Sequence, residues 1–423
     1  MAELLGFTGI TLVVLLTLFL ALRWPMASRI LIVALVVRVA AILFGYFVAP
    51  LPDSGADART FERVAWEWSH GGFLETLGHF PGPDAYLISW ILAVLYSITD
   101  RSILMAQSLS LLFGMGTVFV GWMLVKNLWG DSVAAKAGWV LAMFPTLILY
   151  SALILREAYI CFFLVVALYG VVSWVRIGGI KHIVVATIGF LGATSFHGAM
   201  ILGLIVFIII IGVSSLKKIV INLSRFRINF LSFFMVLLAT FGLSLFFSGG
   251  IKVQYLGSFD RMIDLESFVS RASIYSREKY GEPSAAYPQW TVPNSPAEIL
   301  YKGPIRLTYF IFAPFPWDVR SASHLIGFFD GLLYMALVFL IWRNRKAIWA
   351  DRAARTIVLI LAVYLLVFGL AIGNFGTGIR HRAKFVVGLI LLAAPLLPKL
   401  VLFKKRNCSI ALLRSIKQQS PGI

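Results

Sequence analysis

The feature that most constrains this chain is a series of long apolar runs that recurs from one end of it to the other. A helix needs about 20 apolar residues to cross the hydrocarbon core of a bilayer, and most of these runs approach that length. Hydrophobic residues make up 60% of the chain, whereas soluble domains contain about 45–50%. The runs cover residues 5–22, 29–49, 86–99, 103–125, 132–153, 158–175, 183–213, 229–248, 323–342, 356–373 and 385–403. We therefore predict an all-α polytopic membrane protein with about eleven transmembrane helices, or about twelve if 183–213 is a broken pair.

No separate soluble domain is predicted, so we treat residues 1–423 as one integral membrane domain. The first run has no small-residue cleavage site after it and is followed directly by RWPMASR. We therefore expect a retained span rather than a cleaved signal peptide. The two cysteines, Cys161 and Cys408, offer neither a disulfide framework nor a metal cluster.

The chain is strongly basic, with a formal net charge of +18. Its basic residues are spread between the apolar runs rather than gathered on one face, which argues against a nucleic-acid partner. Most of the charge fits the usual excess of Lys and Arg in cytoplasmic loops. By that rule the basic tail at 404–423 is cytoplasmic, and three segments, 50–85, 249–322 and 374–384, share the extracytoplasmic face.

The predicted topology depends on the long run at 183–213. Traces from the two ends of the chain agree on the outer segments if this run crosses the membrane once. They disagree if it breaks at Ser195–Gly198, unless a short segment such as 305–317 also crosses. The ends of the topology are therefore better determined by sequence than residues 86–213.

The first outer segment, 50–85, begins with PLPDSGADARTFERVAWEWS. Ser54 followed by Asp57 is typical of a helix start. Apolar residues then recur at helical spacing, namely Phe61, Val64, Ala65 and Trp68. This pattern predicts an amphipathic helix lying on the outer surface of the membrane.

Asp53 and Asp57 are the candidate catalytic residues of this segment. A carboxylate can take a proton from a sugar hydroxyl or hold a divalent cation, which is the one cofactor that the sequence suggests. The plain alternative is a helix cap together with ordinary loop charge. Two aspartates four residues apart suit a base and a metal contact equally well.

The second outer segment, 249–322, is charged and aromatic and is predicted to be helical to about Tyr280. The run RLTYFIFAPFPWD that follows is too short for a comfortable span and is interrupted by two prolines, so we expect a re-entrant or interfacial piece. Aromatic side chains of this segment could stack on sugar rings of an acceptor glycan. The candidates are Tyr255, Tyr275, Tyr280, Tyr287 and Trp290.

The third outer segment, NFGTGIRHRAK at 374–384, carries positive charge where basic residues are normally depleted. It is either an exposed basic loop or an anion site for the head of a lipid-linked substrate, because guanidinium forks suit phosphate and pyrophosphate. Arg38, in the middle of a span, either pairs inside the helix bundle or contacts a lipid phosphate. The candidate phosphate-binding and lipid-donor-binding residues are Arg38, Arg380, His381, Arg382 and Lys384.

A second polar group interrupts the apolar run around residue 156. Arg156 and Glu157 form either a boundary pair on a tight turn or a buried ionic site. His197, in ATSFHGAM, is either a core histidine with its hydrogen bonds satisfied or a proton acceptor near the active face. These three residues are a candidate second polar site.

The chain resembles the polytopic glycosyltransferases of the GT-C superfamily that use polyprenyl-linked sugar donors. The resemblance covers about residues 29–175 and includes the acidic outer loop with Asp53 and Asp57, followed by FPGPDAYLISWILAVLY. It continues through an arginine, a Gly-rich span, the "WG" turn and a Pro-containing span. Where many members carry an aspartate after that span, this chain has Arg156–Glu157. The arginine-bearing outer loops also resemble those of O-antigen polymerases and ligases, which act on undecaprenyl-pyrophosphate glycans.

The resemblance implies a membrane glycosyltransferase or polysaccharide polymerase of the bacterial inner membrane. Such an enzyme would take sugar from a polyprenyl-phosphate or -pyrophosphate donor on the extracytoplasmic face and work with other polysaccharide-assembly proteins. Two other classes remain open: a transporter or flippase of the same lipid-linked sugars, and a non-catalytic scaffold. Transport predicts internal repeats and unwound spans, and the sequence contains no convincing repeat.

Overall fold

A computed structural model describes residues 2–225, 230–248 and 285–399, together with residue 269. This part of the chain is 84% helical and contains no β-strand, only an isolated antiparallel bridge between Ala286 and Asn374. The prediction of an all-helical membrane protein is therefore confirmed at this level. The tail at 404–423, Cys408, Tyr255 and the helix expected to reach Tyr280 lie outside the described residues.

Eighteen α-helices are described here, numbered in chain order. The first nine are α1 Ala2–Arg23, α2 Pro25–Phe47, α3 Ala56–Ser69, α4 Gly72–Gly78, α5 Leu87–Thr99, α6 Ile103–Trp129, α7 Asp131–Met143, α8 Pro145–Ala152 and α9 Glu157–Ile177. The others are α10 Ile180–Phe196, α11 Ile201–Leu223, α12 Phe230–Phe247, α13 Ile299–Phe312, α14 Ala322–Arg343, α15 Arg345–Ala350, α16 Arg352–Ala371, α17 Phe375–Ala383 and α18 Val386–Ala393.

Seven helices of the described chain are long and apolar enough to cross a membrane: α1, α2, α6, α9, α11, α14 and α16. The pair α7 and α8 makes an eighth if it counts as one span bent by 53°. Four shorter apolar helices lie within α5, α10, α12 and α18 with the turn that follows it. The predicted total of eleven to twelve is therefore reached only when shorter helices are added to the long ones.

The ends of these helices follow from local sequence. Ser102 begins α6 and accepts a hydrogen bond from the backbone N–H of Met105, and Pro145 begins α8, where its missing N–H is harmless. Gly130 and Gly178 end α6 and α9 with φ of 86° and 79°, a conformation that glycine adopts without strain. Short polar turns therefore separate the apolar helices.

Small residues allow the central helices to approach closely. An added Cβ at Gly170 of α9 would lie 2.4 Å from the backbone N of Ala186 in α10, and one at Gly189 would lie 2.3 Å from the backbone N of Ala167. Side chains at either glycine would push these two helices apart. Close packing of this kind is typical of helix pairs in membranes, where small residues bring the backbones into contact.

The two ends of the bundle can be defined by contacts between loops. At one end, which we call the upper end, the segments 50–57, 153–157 and 373–384 meet. At the other, the lower end, Arg176 pairs with Asp351 at 2.6 Å and Lys136 Nζ donates to Pro395 O at 3.0 Å. The described part of 249–322 also reaches the upper end, since Tyr287 N donates to Gly373 O at 2.8 Å. Described residues of the three predicted outer segments therefore meet at this end of the bundle.

The run at 86–99, predicted as a span, forms the 13-residue helix α5, which packs against α3 and α4. Ser89 Oγ donates to Phe61 O at 2.9 Å, and Trp90 Nε1 donates to Thr76 O at 3.0 Å. The next helix, α6, begins beside the start of α1, because a Cβ on Gly6 would meet Ser102. The chain therefore remains at the upper end through α3, α4 and α5 and does not cross there.

The run at 183–213 is two helices, α10 and α11, separated at His197, which has extended backbone angles. This additional crossing compensates for the crossing that α5 does not make. The predicted outer segments therefore lie on one side of the bundle. The loops between α5 and α10 lie at the ends opposite to those that one crossing for each predicted run would give. In particular, residues 153–157 lie at the upper end beside 374–384.

The segment predicted as re-entrant or interfacial contains α13 and the turn after it. In the middle of α13, Arg306 donates to Leu370 O and Ile372 O, at the upper end of α16. At its other end, the carbonyl of Phe312 faces Gly331, in the middle of α14. The chain then returns to the start of α14, where His324 contacts the carbonyl of Asp318. Both ends of this segment therefore lie on the same side of the bundle.

The apolar stripe of α3, expected to face lipid, packs mainly against protein. Phe61 and Ala65 are buried, because α5 covers this side of α3. The short helix α4 instead presents Phe73 and Leu74 to the surroundings. Sequence periodicity identifies an amphipathic helix but does not say whether lipid or another helix covers its apolar side.

Candidate functional site

Arg380 joins two acidic positions that are far apart in sequence. Its Nε donates to Glu157 Oε1 at 2.8 Å, and its Nη1 donates to Asp57 Oδ2. Asp57 lies in the first turn of α3, Glu157 opens α9, and Arg380 lies in the last turn of α17. At the upper end of the bundle, Arg380 of the candidate phosphate-binding residues thus joins Asp57 of the candidate catalytic residues to Glu157 of the candidate second polar site.

The neighbours of Arg380 hold it in its charged form. Burial by itself would lower the pKa of this guanidinium, but the charges of Glu157 and Asp57 and their hydrogen bonds outweigh that effect and raise it. The Arg380 side chain is 15% exposed, whereas Asp57 is 56% exposed and Glu157 is 1% exposed. The cluster therefore has an accessible carboxylate, that of Asp57, at its outer edge, which we call the rim, and a buried carboxylate, that of Glu157, beneath it.

Asp53 completes the rim. Tyr150, near the end of α8, donates its hydroxyl proton to Asp53 Oδ2 at 3.0 Å. The backbone of Asp53 has a φ of 60°, in the left-handed region that residues other than glycine seldom adopt. Strained positions of this kind are concentrated at functional sites, and this one is fixed by a contact with a different helix.

The carboxyl group of Asp53 has a pKa above the ordinary value for aspartate. Loss of hydration among the surrounding protein atoms is the main cause, although the side chain still reaches solvent. The hydrogen bond from Tyr150 and the charge of Arg380 lower the pKa, while the charges of Glu157 and Asp57 raise it. A carboxylate with a raised pKa is a stronger proton acceptor than an ordinary aspartate.

A basic group lies beneath the rim. Lys384 Nζ is 3.9 Å from Glu157 Oε1 and 2.5 Å from His381 Nδ1. The ring of His381 is 5.2 Å from that of His197, measured between centroids, and both rings contact Phe368. The structure therefore brings His381, Lys384 and His197 to the cluster around Glu157 as sequence-predicted members.

Arg156, the remaining member, packs its guanidinium over the ring of Phe61 at 5.3 Å and donates from Nη1 to Phe196 O at 3.2 Å. The first contact links α3 to the loop before α9, and the second links that loop to the break before α11. Arg156 lies in the turn before α9 and Glu157 opens that helix, so the pair stands at a span boundary, and both side chains are buried. The reading of a buried ionic site agrees with these contacts.

Three polar atoms of the cluster are buried without a hydrogen-bond partner among the described residues: Arg156 Nε, Arg380 Nη2 and Glu157 Oε2. A buried donor that lacks a partner costs about 1–3 kcal/mol, so such atoms are expected to bind water or a ligand. Two of the three belong to guanidinium groups. The arrangement can accept an anion with two or more oxygens.

Arg38 lies away from this cluster. It is fully buried in α2 and donates to Ala142 O at 2.8 Å, to Leu141 O at 3.2 Å and to Ser151 Oγ at 3.3 Å. These contacts satisfy carbonyls at the end of α7, where the bend before Pro145 removes the usual helical donors. In this structure Arg38 stabilises the α7–α8 bend.

Arg382 also lies elsewhere, although it is only two residues from Arg380. Its Nη2 and Nε donate to Asp330 Oδ2 at 2.6 Å and 3.0 Å, and its Nη1 donates to Ala313 O at 2.6 Å. The side chain is 1% exposed. Arg382 therefore points into the bundle and ties α17 to α14 and to the end of α13.

Of the glycan-contact candidates, Tyr287 and Trp290 are described, while Tyr275 and Tyr280 lie outside the described residues. Tyr287 is buried against Tyr309 and Phe375. Trp290 is 58% exposed, and its ring lies 6.1 Å from that of Tyr309. Trp290 is thus accessible at the upper end, and Tyr287 is part of the packing beneath it.

The described residues contain no group of three or more His, Cys, Asp and Glu side chains arranged to hold a metal ion. In the cluster, the guanidinium of Arg380 lies between the carboxylates of Asp57 and Glu157. A cation at that position would have to displace Arg380. The donor set described here therefore fits an anion better than a divalent cation.

Tyr150 is a site residue that sequence reasoning missed. It lies in the largely apolar helix α8, PTLILYSA, where no charged residue singles it out, and its contact with Asp53 is made only in the folded chain. Comparison with models of known protein families, with curated proteins and with solved structures found no match to this chain. The assignment of the site therefore depends on its geometry.

Proposed function

We propose that this protein is a membrane glycosyltransferase or polysaccharide polymerase that transfers a sugar or oligosaccharide from a polyprenyl-phosphate or -pyrophosphate donor. The observation that carries the proposal is the grouping of two accessible aspartates, Asp53 and Asp57, with the buried guanidinium groups of Arg156 and Arg380. A carboxylate can activate a hydroxyl acceptor, and arginines can stabilise a departing phosphate. Polyprenyl-linked sugars and membrane lipid are the proposed partners.

The proposed reaction takes place at the extracytoplasmic face of a bacterial inner membrane. The distribution of charge supports this side, because Lys and Arg are enriched in cytoplasmic loops and the lower end is rich in them. Basic residues near the lower ends of the described helices are Arg23, Lys126, Lys136, Arg176, Lys181, Arg343, Arg345, Lys346, Arg352 and Arg355. The upper end, which bears the cluster, would then face away from the cytoplasm.

In the proposed step, a hydroxyl of the acceptor glycan loses its proton to the carboxylate of Asp53. The hydroxyl oxygen forms a bond to the anomeric carbon of the donor sugar. The bond between that carbon and the phosphate oxygen breaks, and its electron pair stays on the phosphate. Arg380 and Arg156 stabilise the charge that develops on this leaving group, with Lys384 beneath them.

The structural contacts narrow the set of phosphate-binding candidates. Arg38 and Arg382 have carbonyl or carboxylate partners inside the bundle, so the proposal assigns them to the scaffold. Of the two described glycan-contact candidates, Trp290 is the accessible one and Tyr287 is buried. Other polysaccharide-assembly proteins are proposed partners at the same face.

The test is complementation of a deletion strain of the source cell with Asp53→Asn, Arg156→Met and Arg380→Met. We expect each variant to reach normal protein levels but to lose surface polysaccharide at least about tenfold, a loss of about 1.4 kcal/mol in transition-state stabilisation. Lipid-linked precursor should accumulate on the outer face of the membrane. Arg59→Ala is the matched control, because Arg59 is an exposed arginine of the same outer segment. Full activity of all three site variants would contradict the proposal.

The alternative function is a transporter or flippase of lipid-linked sugars. The breaks in the helices near the cluster, at Phe144–Pro145 and at His197, favour it, since transporters place substrate at discontinuous helices. The same complementation experiment separates the two functions. Precursor trapped on the inner face in the site variants would support transport and contradict transfer.

A further inference from the structure

Asp57 and Glu157 bind Arg380 in different ways. Glu157 is 1% exposed and receives its hydrogen bond from Nε, and Lys384 lies 3.9 Å away on the same oxygen. Asp57 is 56% exposed and uses one oxygen to contact Nη1 alone. The adjacent Nη2 has no partner among the described residues, although it is buried. Arg380 is thus bound through Nε to a buried carboxylate, while on its accessible side only Nη1 has a partner, Asp57.

We propose that the carboxylate of Asp57 occupies the place on Arg380 that the phosphate of the lipid-linked donor takes, and that the donor binds by exchange with it. This inference rests on the proposed function, because it specifies how that same site receives its substrate. The inference also assigns different roles to the two aspartates. Asp53 accepts the proton, and Asp57 holds Arg380 until the phosphate arrives.

Geometry favours the exchange of Asp57 over that of Glu157. Releasing Glu157 would leave a buried charge without its main partner, whereas Asp57 can turn into solvent. Asp57 also lies close to the start of α3, which Gly55 precedes, and no atom beyond the chain neighbours of Gly55 lies within 4 Å of the place where a Cβ on it would stand. The first turn of α3 therefore has room to withdraw.

A phosphate can satisfy Arg380 better than Asp57 does. Two of its oxygens can bind Nη1 and Nη2 together, the paired arrangement that makes arginine–phosphate contacts strong. A third oxygen can accept from Arg156 Nε, which also lacks a partner among the described residues. An incoming phosphate therefore gains hydrogen bonds that the resting ion pair leaves unmade.

The experiment measures binding of farnesyl phosphate to the purified full-length protein in nanodiscs. Asp57→Asn should tighten binding about two- to fivefold, the range expected for an ion pair with a half-exposed partner. Asp53→Asn removes the same charge beside Arg380 without breaking its hydrogen bond and should change affinity less. Glu67→Gln, on the exposed side of α3, is the matched control and should bind as the wild type does.

Inorganic phosphate and farnesol identify the source of the affinity. Tightening by Asp57→Asn with both phosphate compounds, and no binding of farnesol, would assign the effect to the phosphate group. Binding of farnesyl phosphate alone would assign it to a lipid-borne phosphate. Farnesol binding that Asp57→Asn also tightens would overturn the exchange, because no anion would then be needed.

Hydrogen exchange supplies a second measurement that does not depend on affinity. Farnesyl phosphate should speed exchange at residues 54–60 of the wild type, since it releases Asp57, and should leave that segment of Asp57→Asn unchanged. If the wild type and Asp57→Asn bind farnesyl phosphate equally, the exchange is overturned. If Arg380→Met also weakens this binding in both backgrounds, the proposed phosphate site is still supported. Absence of phosphate binding in every variant would overturn both.

Discussion

At the scale of single residues, two aspartates four positions apart have different surroundings. Asp53 accepts a hydrogen bond from Tyr150 and has left-handed backbone angles, while Asp57 pairs with Arg380. Their sequence pattern predicted a base or a metal contact without distinguishing them. The difference arises because their partners come from α8 and α17, which lie 97 and 323 residues away along the chain.

The surroundings of Asp53 predict a specific dependence on pH. As the proton acceptor of the proposed reaction, Asp53 must be ionised, so kcat/KM for the proposed sugar transfer should fall as pH falls through its raised pKa. The hydrogen bond from Tyr150 and the charge of Arg380 lower the pKa of Asp53. The charges of Glu157 and Asp57 raise it. Tyr150→Phe removes a hydrogen bond that lowers this pKa, so the acidic limb should move to higher pH.

The measurement is the pH–rate profile of membranes that contain each variant at equal protein level. Tyr86→Phe is the control, because Tyr86 is a half-exposed tyrosine of the same upper end. Its profile should superimpose on that of the wild type. An acidic limb in Tyr150→Phe that stays in place or moves to lower pH would refute the assignment of Asp53 as the base.

At the scale of elements, the sequence located most helices but not the way each is used. The runs at 5–22, 29–49 and 103–125 are long helices near the predicted bounds. The run at 86–99 is apolar because α3 and α4 cover it, and a 13-residue helix is too short for an easy crossing. Apolar composition by itself cannot separate burial under protein from burial in lipid.

The bend between α7 and α8 gives a second prediction. Arg38 supplies donors to Leu141 O and Ala142 O, which the bend leaves without their helical partners. Arg38→Met should lower the free energy of unfolding by about 1–3 kcal/mol, the cost of leaving buried acceptors unsatisfied. Chemical unfolding in detergent measures the change.

Arg29→Met is the matched control for that variant, because Arg29 is an exposed arginine of the same helix. It should unfold as the wild type does. If Arg38→Met proves as stable as this control but loses phosphate binding, the role of Arg38 would be substrate binding rather than support of the bend.

At the scale of the whole molecule, the fold assigns sides to the loops within residues 86–213, which the sequence left open. Because α5 does not cross and 183–213 crosses twice, the loops at 126–132 and 176–182 belong to the lower end. The sequence left the topology of residues 86–213 open, and one crossing for each apolar run would have put both loops on the outer side. The crossing that α5 does not make and the additional crossing within 183–213 compensate, so the loops after residue 213 lie at the ends where one crossing for each run would put them.

Accessibility of single cysteines tests this topology. In a background without native cysteines, Ser132→Cys and Lys181→Cys should resist a membrane-impermeant thiol reagent in intact cells and react after permeabilisation. Glu67→Cys should react in intact cells, and Lys346→Cys should behave as the first two do. All four positions are exposed. Labelling of Ser132→Cys and Lys181→Cys in intact cells would favour one crossing for each apolar run and would contradict the fold at α5.

The sequence by itself determined the helical membrane class and the positions of most helices, and it singled out most of the charged residues of the candidate site. Those properties depend on local composition and on spacing along the chain, which sequence records directly. Only the tertiary structure decided that Arg156 and Glu157 lie with Asp57 and Arg380, that Arg38 and Arg382 lie apart, and that Tyr150 meets Asp53. These outcomes depend on the number of crossings and the direction of each side chain, which arise from contacts between distant helices.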